Sequence, residues 1–323
     1  MSLDSATIII RSVGERTESL CRKLILDQGV PEEAVFTINE APFSKAMKVG
    51  FEIAMAEKRP WTYCVDADLL LRPRSILNMI EHADKQQQNV CEIQGFILDK
   101  FFGGARMGGV HLYRTSLLGR VIELIPPEGK NIRPETHALN AMRESGYPAI
   151  TVNELIGLHD FEQTYADIFR KCFVQAHKHL SHTELFIPYW RAKAEQDLDY
   201  QIALAGFAEG IKHFGEVRID KRAEYFQEIM GGLEASSKKD IDLSEWNLNC
   251  IETLIKTWVE PPEYWDQFPS AMLATGGSSI ISRTLEKYKW HRVQSSVSTS
   301  IKQVLAWLLT GAGKKLKKSS TMN

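Results

Sequence analysis

The sequence has few cysteines, and they follow no pattern that is typical of a disulfide framework or a structural zinc site. The five cysteines among 323 residues are widely spaced, their number is odd, and no Cys-x-x-Cys pair occurs. Disulfide-stapled domains and structural zinc sites both need closely spaced cysteines. We therefore expect reduced thiols that are mostly buried, as free cysteines usually are.

Long apolar runs and an excess of one charge are also missing. The longest apolar run near the end covers only residues 304–309, whereas a membrane-spanning helix needs roughly 20 residues. The apolar stretch at residues 8–10 is too short for a secretory signal. A formal net charge of −2 gives no indication of a nucleic-acid partner. These features predict a cytoplasmic protein that does not bind nucleic acid.

Short apolar runs alternate with helical periodicity over the first part of the chain. The strand-like runs are residues 7–10, 34–38, 61–65 and 90–97, and the helical patterns between them are residues 17–28, 44–58 and 73–85. This alternation requires crossover connections, which predicts an α/β fold with a mostly parallel sheet flanked by helices. Ligands of such sheets bind at the carboxyl ends of the strands. Residues 11–16, 39–45 and 66–72 are therefore the first candidates for a site.

The pattern changes near residue 160. Before it, a glycine-rich stretch at residues 101–109 is expected to form a mobile loop. A strand at 110–114, two helices at 116–124 and 134–145, and a strand at 149–152 are expected to follow. After it, helical patterns dominate at residues 163–180, 190–214, 221–230 and 247–259. We predict an α/β domain over residues 1–160 and a mainly helical C-terminal region over residues 161–323.

The end of the sequence combines an apolar helical face with a basic tail. Apolar residues recur at helical spacing between Val293 and Leu308, and four lysines follow at positions 314, 315, 317 and 318. This combination is typical of helices that dock on an anionic membrane surface, here the inner membrane face. The alternative is a helix that packs on its own domain and leaves the lysines in solvent.

Two carboxylates, Asp66 and Asp68, follow the third apolar strand directly. Carboxylate oxygens are the ligands that Mg²⁺ and Mn²⁺ prefer. A divalent cation at this place would bridge to a diphosphate and neutralise charge on the leaving group. Two further Asp-x-Asp triplets, at residues 197–199 and 240–242, lie in helical or polar contexts. Only the first triplet stands at the carboxyl edge of the predicted sheet.

An ordered set of segments resembles the family 2 glycosyltransferases of the GT-A fold. The similar segments are the first strand and nucleotide-contacting turn (residues 7–16), the second helix (43–54), the metal-binding strand end (61–73), the acceptor-side strand (109–114) and the acid-bearing helix (134–147). The resemblance spans about residues 6 to 160, roughly half of the chain. It implies transfer of a sugar from a nucleotide-diphosphate sugar to a hydroxyl of a carbohydrate or other acceptor, with inversion.

The resemblance also implies roles for particular residues. His159, after the last predicted strand, would join Asp66 and Asp68 as a ligand of Mn²⁺ or Mg²⁺. The nucleotide sugar would be contacted by Arg11, Glu15, Arg16, Lys45, Asp66 and Arg106, since arginine and lysine bind phosphate readily. Arg106 would reach the diphosphate through closure of the glycine-rich stretch.

The catalytic base is where the sequence departs from the family. Family 2 members usually carry a Glu-Asp pair at the start of the acid-bearing helix, and here the pair is Glu135-Thr136. Glu135 would then deprotonate the acceptor hydroxyl. A glutamate after Pro134 also suits the positive end of a helix without any catalytic role. Retention at the anomeric carbon therefore stays open, because a retaining enzyme needs no such base.

Two other readings of the sequence remain. A sugar nucleotidyltransferase would use a similar sheet and metal, but it commonly has a glycine-rich phosphate loop after the first strand, and residues 11–16 contain only Gly14. A non-catalytic nucleotide- or glycan-binding scaffold would keep the fold without turnover. The presence of both acids and a candidate histidine argues against the scaffold.

Overall fold

The computed structural model describes residues 2–180, 183–215, 217 and 238–258, and these residues fall into two compact units. The first unit holds the described residues up to Asp167 together with residues 238–258, and the second holds the described residues from Ile168 to Val217. The helix predicted at residues 221–230 and the apolar and basic C-terminal segment lie outside the described residues.

Eight strands form one sheet in the first unit. They are β1 (Ala6–Ser12), β2 (Val35–Asn39), β3 (Trp61–Asp66), β4 (Leu69–Leu71), β5 (Glu92–Asp99), β6 (Gly104–Met107), β7 (Val110–Arg114) and β8 (Ala149–His159). Their order is β2-β1-β3-β7-β5-β8-β4, with β6 paired to β5. Strands β1, β2, β3, β5 and β8 run in one direction and the other three run in the opposite direction. The mostly parallel sheet that the sequence predicts is confirmed.

Helices cover both faces of this sheet. The helices of the described residues, in both units, are α1 (Glu18–Leu26), α2 (Phe43–Glu57), α3 (Ser75–Ala83), α4 (Leu118–Leu124), α5 (Pro134–Glu144), α6 (Tyr165–Lys178), α7 (Thr183–Ala194), α8 (Leu198–Lys212) and α9 (Leu248–Trp258). Ile8 and Ile10 of β1 belong to the core that includes α1 and α3, whereas Ile9 belongs to the core of α2, α4 and α5. Alternate side chains of a strand point to opposite faces, so a continuous apolar run indicates a strand buried on both sides. This is the α/β architecture that the GT-A resemblance implies.

Two strands were not predicted from the sequence. Part of the glycine-rich stretch, expected to be a mobile loop, forms β6 and pairs antiparallel with β5. The three residues of β4 were expected to belong to a loop after Asp68, but they pair with residues 157–159 of β8. Three residues are too few to show periodicity. The pairing of β4 depends on Gly157, where a side chain would overlap the carbonyl oxygen of Leu70.

One long helix predicted at residues 190–214 is instead two helices, α7 and α8, in the second unit. Asp197 ends the break between them, and its carboxylate accepts a hydrogen bond from the backbone N–H of Asp199 at 2.9 Å. Asp197 of this Asp-x-Asp triplet is thus the N-cap of α8, and Asp199 is buried. Within the unit, Gly206 and Gly210 let α8 approach the backbone of α6 closely. Among the residues that the structure describes, no helix is long and apolar enough to cross a membrane.

Helix α9 belongs to the first unit although it is distant in sequence. Ile251 and Ile255 are buried against Leu20 and Leu24 of α1 and against Leu70 and Leu158 of the sheet. The spacing of four residues places the two isoleucines on one face of the helix. The first unit therefore includes a segment, residues 238–258, that lies 78 to 98 positions beyond the domain boundary predicted near residue 160.

Candidate active site

The carboxyl ends of the five parallel strands lie at one edge of the sheet, and a polar residue ends each strand. The terminal residues are Ser12, Asn39, Asp66, Asp99 and His159. Ligands of parallel α/β sheets bind at this edge. The sequence directs attention to the ends of β1, β2 and β3 and to His159, whereas Asp99 is identified by the structure.

Asp66 and Asp68 have different neighbours because the chain turns sharply between β3 and β4. Asp66 ends β3 and pairs in register with Arg11 of the adjacent strand β1. Leu69, one residue after Asp68, pairs with His159 at the end of β8. The two acids of the triplet therefore enter two separate clusters of polar side chains.

Hydrogen bonds to the backbone fix the turn between these acids. The N–H of Ala67 donates to the carbonyl of Arg11 at 3.0 Å, and the N–H of Asp66 donates to the carbonyl of Gly109 at 3.1 Å. The hydroxyl of Thr17 donates to the carbonyl of Ala67 at 2.7 Å. The positions of both carboxylates are thus set by neighbouring strands and by the first helix.

The first cluster brings together Asp68, His159 and Asp160. One potential ligand atom from each lies within 4.8 Å of the others, and all three residues are buried. Asp68 Oδ1 is 3.4 Å from His159 Nε2, and the N–H of Asp160 donates to the carbonyl of Asp68 at 3.3 Å. Two carboxylates and one imidazole fit a divalent cation such as Mn²⁺ or Mg²⁺. Asp66 is not a member of this group.

Several acids surround the single histidine of the cluster, and they change the pKa of that histidine. Burial alone would lower the pKa of His159, but Asp160, Asp68 and Asp99 together raise it to about 10. A protonated imidazole is therefore the counter-charge of these acids here, and a bound cation would replace that proton. Asp160 adopts a left-handed backbone conformation with φ of 66°. Such conformations of residues other than glycine concentrate at functional sites.

Asp99 connects the cluster to Arg106. Its Oδ1 accepts the N–H groups of Phe101 and Phe102, each at 2.9 Å. Its Oδ2 lies 2.6 Å from Arg106 Nη2 and 2.9 Å from His159 Nδ1. Burial would raise the pKa of Asp99, but Arg106 and His159 outweigh it and hold the pKa below its usual range. Arg106, which the sequence assigns to the diphosphate, is thus bound to a buried acid beside the cation cluster.

The second cluster begins with Arg11, which is buried between Asp66 and Glu135. Its Nε is 2.8 Å from Asp66 Oδ1 and its Nη1 is 2.8 Å from Glu135 Oε1. Tyr113 donates its hydroxyl to the same Glu135 oxygen at 2.7 Å, and His111 Nε2 lies 2.9 Å from Glu135 Oε2. The acid of α5 and the first acid of the triplet therefore share one arginine.

This second cluster makes Glu135 a weak base in the conformation observed. Burial would raise the pKa of Glu135, but Arg11 and His111 outweigh it and hold the pKa far below its usual range. His111 also lies 3.0 Å from the buried Glu92. Burial would lower the pKa of His111, but Glu135 and Glu92 raise it to about 9. The geometry favours Glu135 as an anchor for two cationic side chains over the base role predicted from the sequence.

The other predicted nucleotide contacts also have partners within the protein. Lys45 pairs with Glu40 at 2.7 Å, and its side chain remains 57% exposed. Arg16 pairs with Glu162 at 3.1 Å and donates to the carbonyl of Lys239. Glu15 accepts from the N–H of Val13 and the hydroxyl of Ser12. A ligand that used Arg16 or Lys45 would have to compete with these ion pairs.

Comparison with known proteins gives similarity in structure alone. No protein-family model matches the sequence, and no curated protein is similar to it in sequence. A mannosyltransferase from Pyrobaculum calidifontis in complex with GDP-Man and Mn²⁺ is similar in structure at 12% identity and a TM-score of 0.41, over 97% of this chain and 87% of that one. A glycosyltransferase involved in the glycosylation of the major capsid of PBCV-1 is similar at 14% identity and a TM-score of 0.33, over 46% and 82% of the two chains.

A third similar structure belongs to a different class of enzyme. It is CMP:2-keto-3-deoxy-manno-octonic acid synthetase complexed with CTP, at 11% identity and a TM-score of 0.34, over 48% of this chain and 92% of that one. Identities and TM-scores this low assign no activity and no residue role to this chain. The roles of the residues at the sheet edge therefore have to be argued from the site itself.

Three acids of the site were not predicted from the sequence, and each omission has a local cause. Asp99 lies two residues beyond the predicted end of its strand. Asp160 directly follows His159, which was chosen as the candidate ligand at that position. Glu92 sits at the start of β5, within an apolar run. An acid at the carboxyl end of a parallel strand was the available signal, and it would have identified Asp99.

A cavity of about 640 Å³ lies away from both clusters. It is lined by Trp61, the first residue of β3, and by Arg114, the last residue of the antiparallel strand β7. It is therefore at the amino edge of the parallel strands, opposite the acids. Ligands of parallel sheets bind at the carboxyl edge, so this cavity does not change the location of the candidate site.

Proposed function

We propose that this chain is a nucleotide-sugar transferase that moves a glycosyl group from a nucleotide-diphosphate sugar to an acceptor hydroxyl. The observation that carries the proposal is the group of Asp68, His159 and Asp160 at the carboxyl edge of a mostly parallel sheet. These three residues would hold Mn²⁺ or Mg²⁺. When bound, the cation supplies charge neutralisation for the diphosphate leaving group.

The remaining residues of the edge have complementary tasks in this proposal. The side chain of Asp66 is 31% exposed, the most accessible acid in its cluster, and faces the donor or its cation from the other side of the turn. Arg11 is buried and acts through Asp66 by holding its carboxylate. Arg106 would neutralise the diphosphate, because a guanidinium pairs well with phosphate oxygens, and a bound diphosphate would share it with Asp99.

The turn after β1 favours glycosyl transfer over nucleotidyl transfer. A phosphate loop binds its ligand through free backbone N–H groups. Here the N–H of Val13 donates to Glu15 at 2.8 Å, and the N–H of Gly14 donates to the hydroxyl of Ser12 at 2.9 Å. These donors are used within the turn, which argues against a triphosphate site there.

Donor binding and hydrolysis test the proposal. Thermal unfolding is measured with UDP and GDP, with and without Mn²⁺, because a ligand of the folded state raises the melting temperature. Slow, Mn²⁺-dependent hydrolysis of a UDP- or GDP-sugar is expected, and Asp68→Asn should abolish it. The matched control is Asp240→Asn, which changes an exposed acid in another Asp-x-Asp triplet. Nucleotide binding without any turnover would favour the scaffold.

Glu135→Gln separates the two roles of that glutamate. A catalytic base is needed for attack by the acceptor, so its loss would remove transfer while leaving binding of the nucleotide and Mn²⁺ intact. An anchor acts through Arg11 and Asp66, so its loss should weaken nucleotide binding as well. We expect the second result.

The anomeric configuration of the product then distinguishes inversion, which the family resemblance implies, from retention.

A further inference from the structure

The two ring nitrogens of His159 face different acids. Nε2 lies on the side of Asp68, at 3.4 Å from Oδ1. Nδ1 lies 2.9 Å from Asp99 Oδ2 and 3.1 Å from Asp160 Oδ2. A neutral imidazole binds a cation through one nitrogen and keeps a proton on the other. The partner of that proton decides which nitrogen is free.

Both carboxylate oxygens of Asp99 have donors that fix their direction. Its Oδ1 accepts two backbone N–H groups at 2.9 Å, and its Oδ2 is 2.6 Å from Arg106 Nη2. It is fully buried and pairs in register with His159 across β5 and β8. The carboxylate therefore cannot turn toward Asp68, and its Oδ2 remains directed at Nδ1.

We infer that Asp99 is a positioning residue that keeps the proton of His159 on Nδ1 and so presents the Nε2 lone pair, beside Asp68, to a divalent cation. The inference rests on the proposed function, because it assumes that the cluster binds such a cation. Histidine ligands of metals commonly donate their second N–H to a carboxylate in this way. Through Arg106, the same carboxylate links the cation site to strand β6.

The substitution Asp99→Asn tests the inference with little change in shape. The amide keeps an oxygen for the N–H groups of Phe101 and Phe102, and its NH₂ group replaces Oδ2. An NH₂ group donates and cannot accept the Nδ1 proton, so Asp160 Oδ2, at 3.1 Å, is the acceptor that remains there. The fraction of imidazole that carries its proton on Nε2 therefore rises. Mn²⁺ affinity, measured by isothermal titration calorimetry, should fall by about 10–100-fold.

Asp167→Asn is the matched control. Asp167 is also a buried acid, but it accepts a hydrogen bond from the hydroxyl of Thr164 and belongs to neither cluster. The Mn²⁺ affinity of this variant should stay within about twofold of that of wild type, since Asp167 does not act through His159. In a His159→Gln background, Asp99→Asn should cause no further loss. A further loss there would mean that Asp99 acts by another route, which overturns the inference.

A spectroscopic measurement keeps the inference falsifiable if Asp99→Asn does not fold. In the Mg²⁺-loaded wild type, ¹⁵N-edited NMR of the imidazole should show the proton of His159 on Nδ1. A proton on Nε2 would refute the inference, and so would an Asp99→Asn protein that binds Mn²⁺ as tightly as wild type. A wild-type protein that binds neither Mn²⁺ nor Mg²⁺ would instead refute the cation site of the proposed function, and the inference with it.

Discussion

Arg11 has contacts that differ from those its residue type suggests. The sequence assigns it to the nucleotide, but it is 6% exposed and sits between Asp66 and Glu135. Its charge is needed inside the protein, because two carboxylates would otherwise be buried together. The sequence places Arg11 directly after the first predicted strand, but it does not show which acids the other strands bring beside it.

The substitution Arg11→Met should destabilise the protein strongly. Removing one partner of a buried ion pair leaves an uncompensated charge and costs about 3–5 kcal/mol. The matched control is Lys45→Met, which breaks an exposed pair with Glu40 and should cost at most about 1 kcal/mol. Urea unfolding midpoints measure both. Equal stability of the two variants would show that Arg11 does not hold the second cluster together.

His111 should make stability depend on pH in a defined window. Its pKa rises from the ordinary value of 6.5 to about 9 on folding, chiefly because Glu135 and Glu92 outweigh the effect of burial. A raised pKa contributes stability that is fully present below pH 6.5 and is lost as the pH rises through 9. The melting temperature of wild type should therefore exceed that of His111→Gln by most at pH 6, and the gap should narrow by pH 9.5. A gap that is constant over this range would contradict the prediction.

At the scale of elements, long periodic segments were predictable and short or glycine-rich ones were not. The predictions for β1, β3, α1, α2 and α5 lie within a few residues of the structure, because each segment has a clear period of 2 or 3.6 residues or a continuous apolar run. β4 has three residues, and β6 has four and lies within a glycine-rich stretch, so neither carries a local signal. Their pairing partners are distant in sequence, and β4 in particular places Asp68 beside His159.

The pairing of β4 with β8 can be tested at Gly157. A Cβ at this position would overlap the carbonyl oxygen of Leu70, and backbone cannot move aside as a side chain can. We expect Gly157→Ala to destabilise the protein by about 2 kcal/mol or more and to reduce Mn²⁺ binding, since the strand that carries His159 must shift. Gly119→Ala in α4 is the control: nothing lies within 4 Å of the added methyl group, and helix propensity predicts a gain of about 0.5–1 kcal/mol.

At the scale of the whole molecule, the sheet unit is completed by a helix from a distant part of the chain. The sequence predicts α9 as a helix, because its apolar residues recur at helical spacing. It does not reveal the partner of that helix, since amphipathic periodicity shows only that one face is buried. Arg72 of the loop after β4 pairs with Glu252 of α9 at 2.7 Å, beside the apolar contacts. The cation cluster and α9 therefore lie on elements that support one another.

Loss of the contacts between α9 and the sheet should make the strands that carry the cation cluster open more often. Ile251 is fully buried, and replacing a buried isoleucine by alanine costs about 2–5 kcal/mol. In Ile251→Ala, hydrogen exchange should become faster in β4 and at the end of β8 as well as in α9, because elements that pack together open together. The control is Thr253→Ala on the exposed side of the same helix, which should change exchange little. Faster exchange confined to α9 would show that β4 and β8 keep their positions without it, and that the site does not depend on this distant segment.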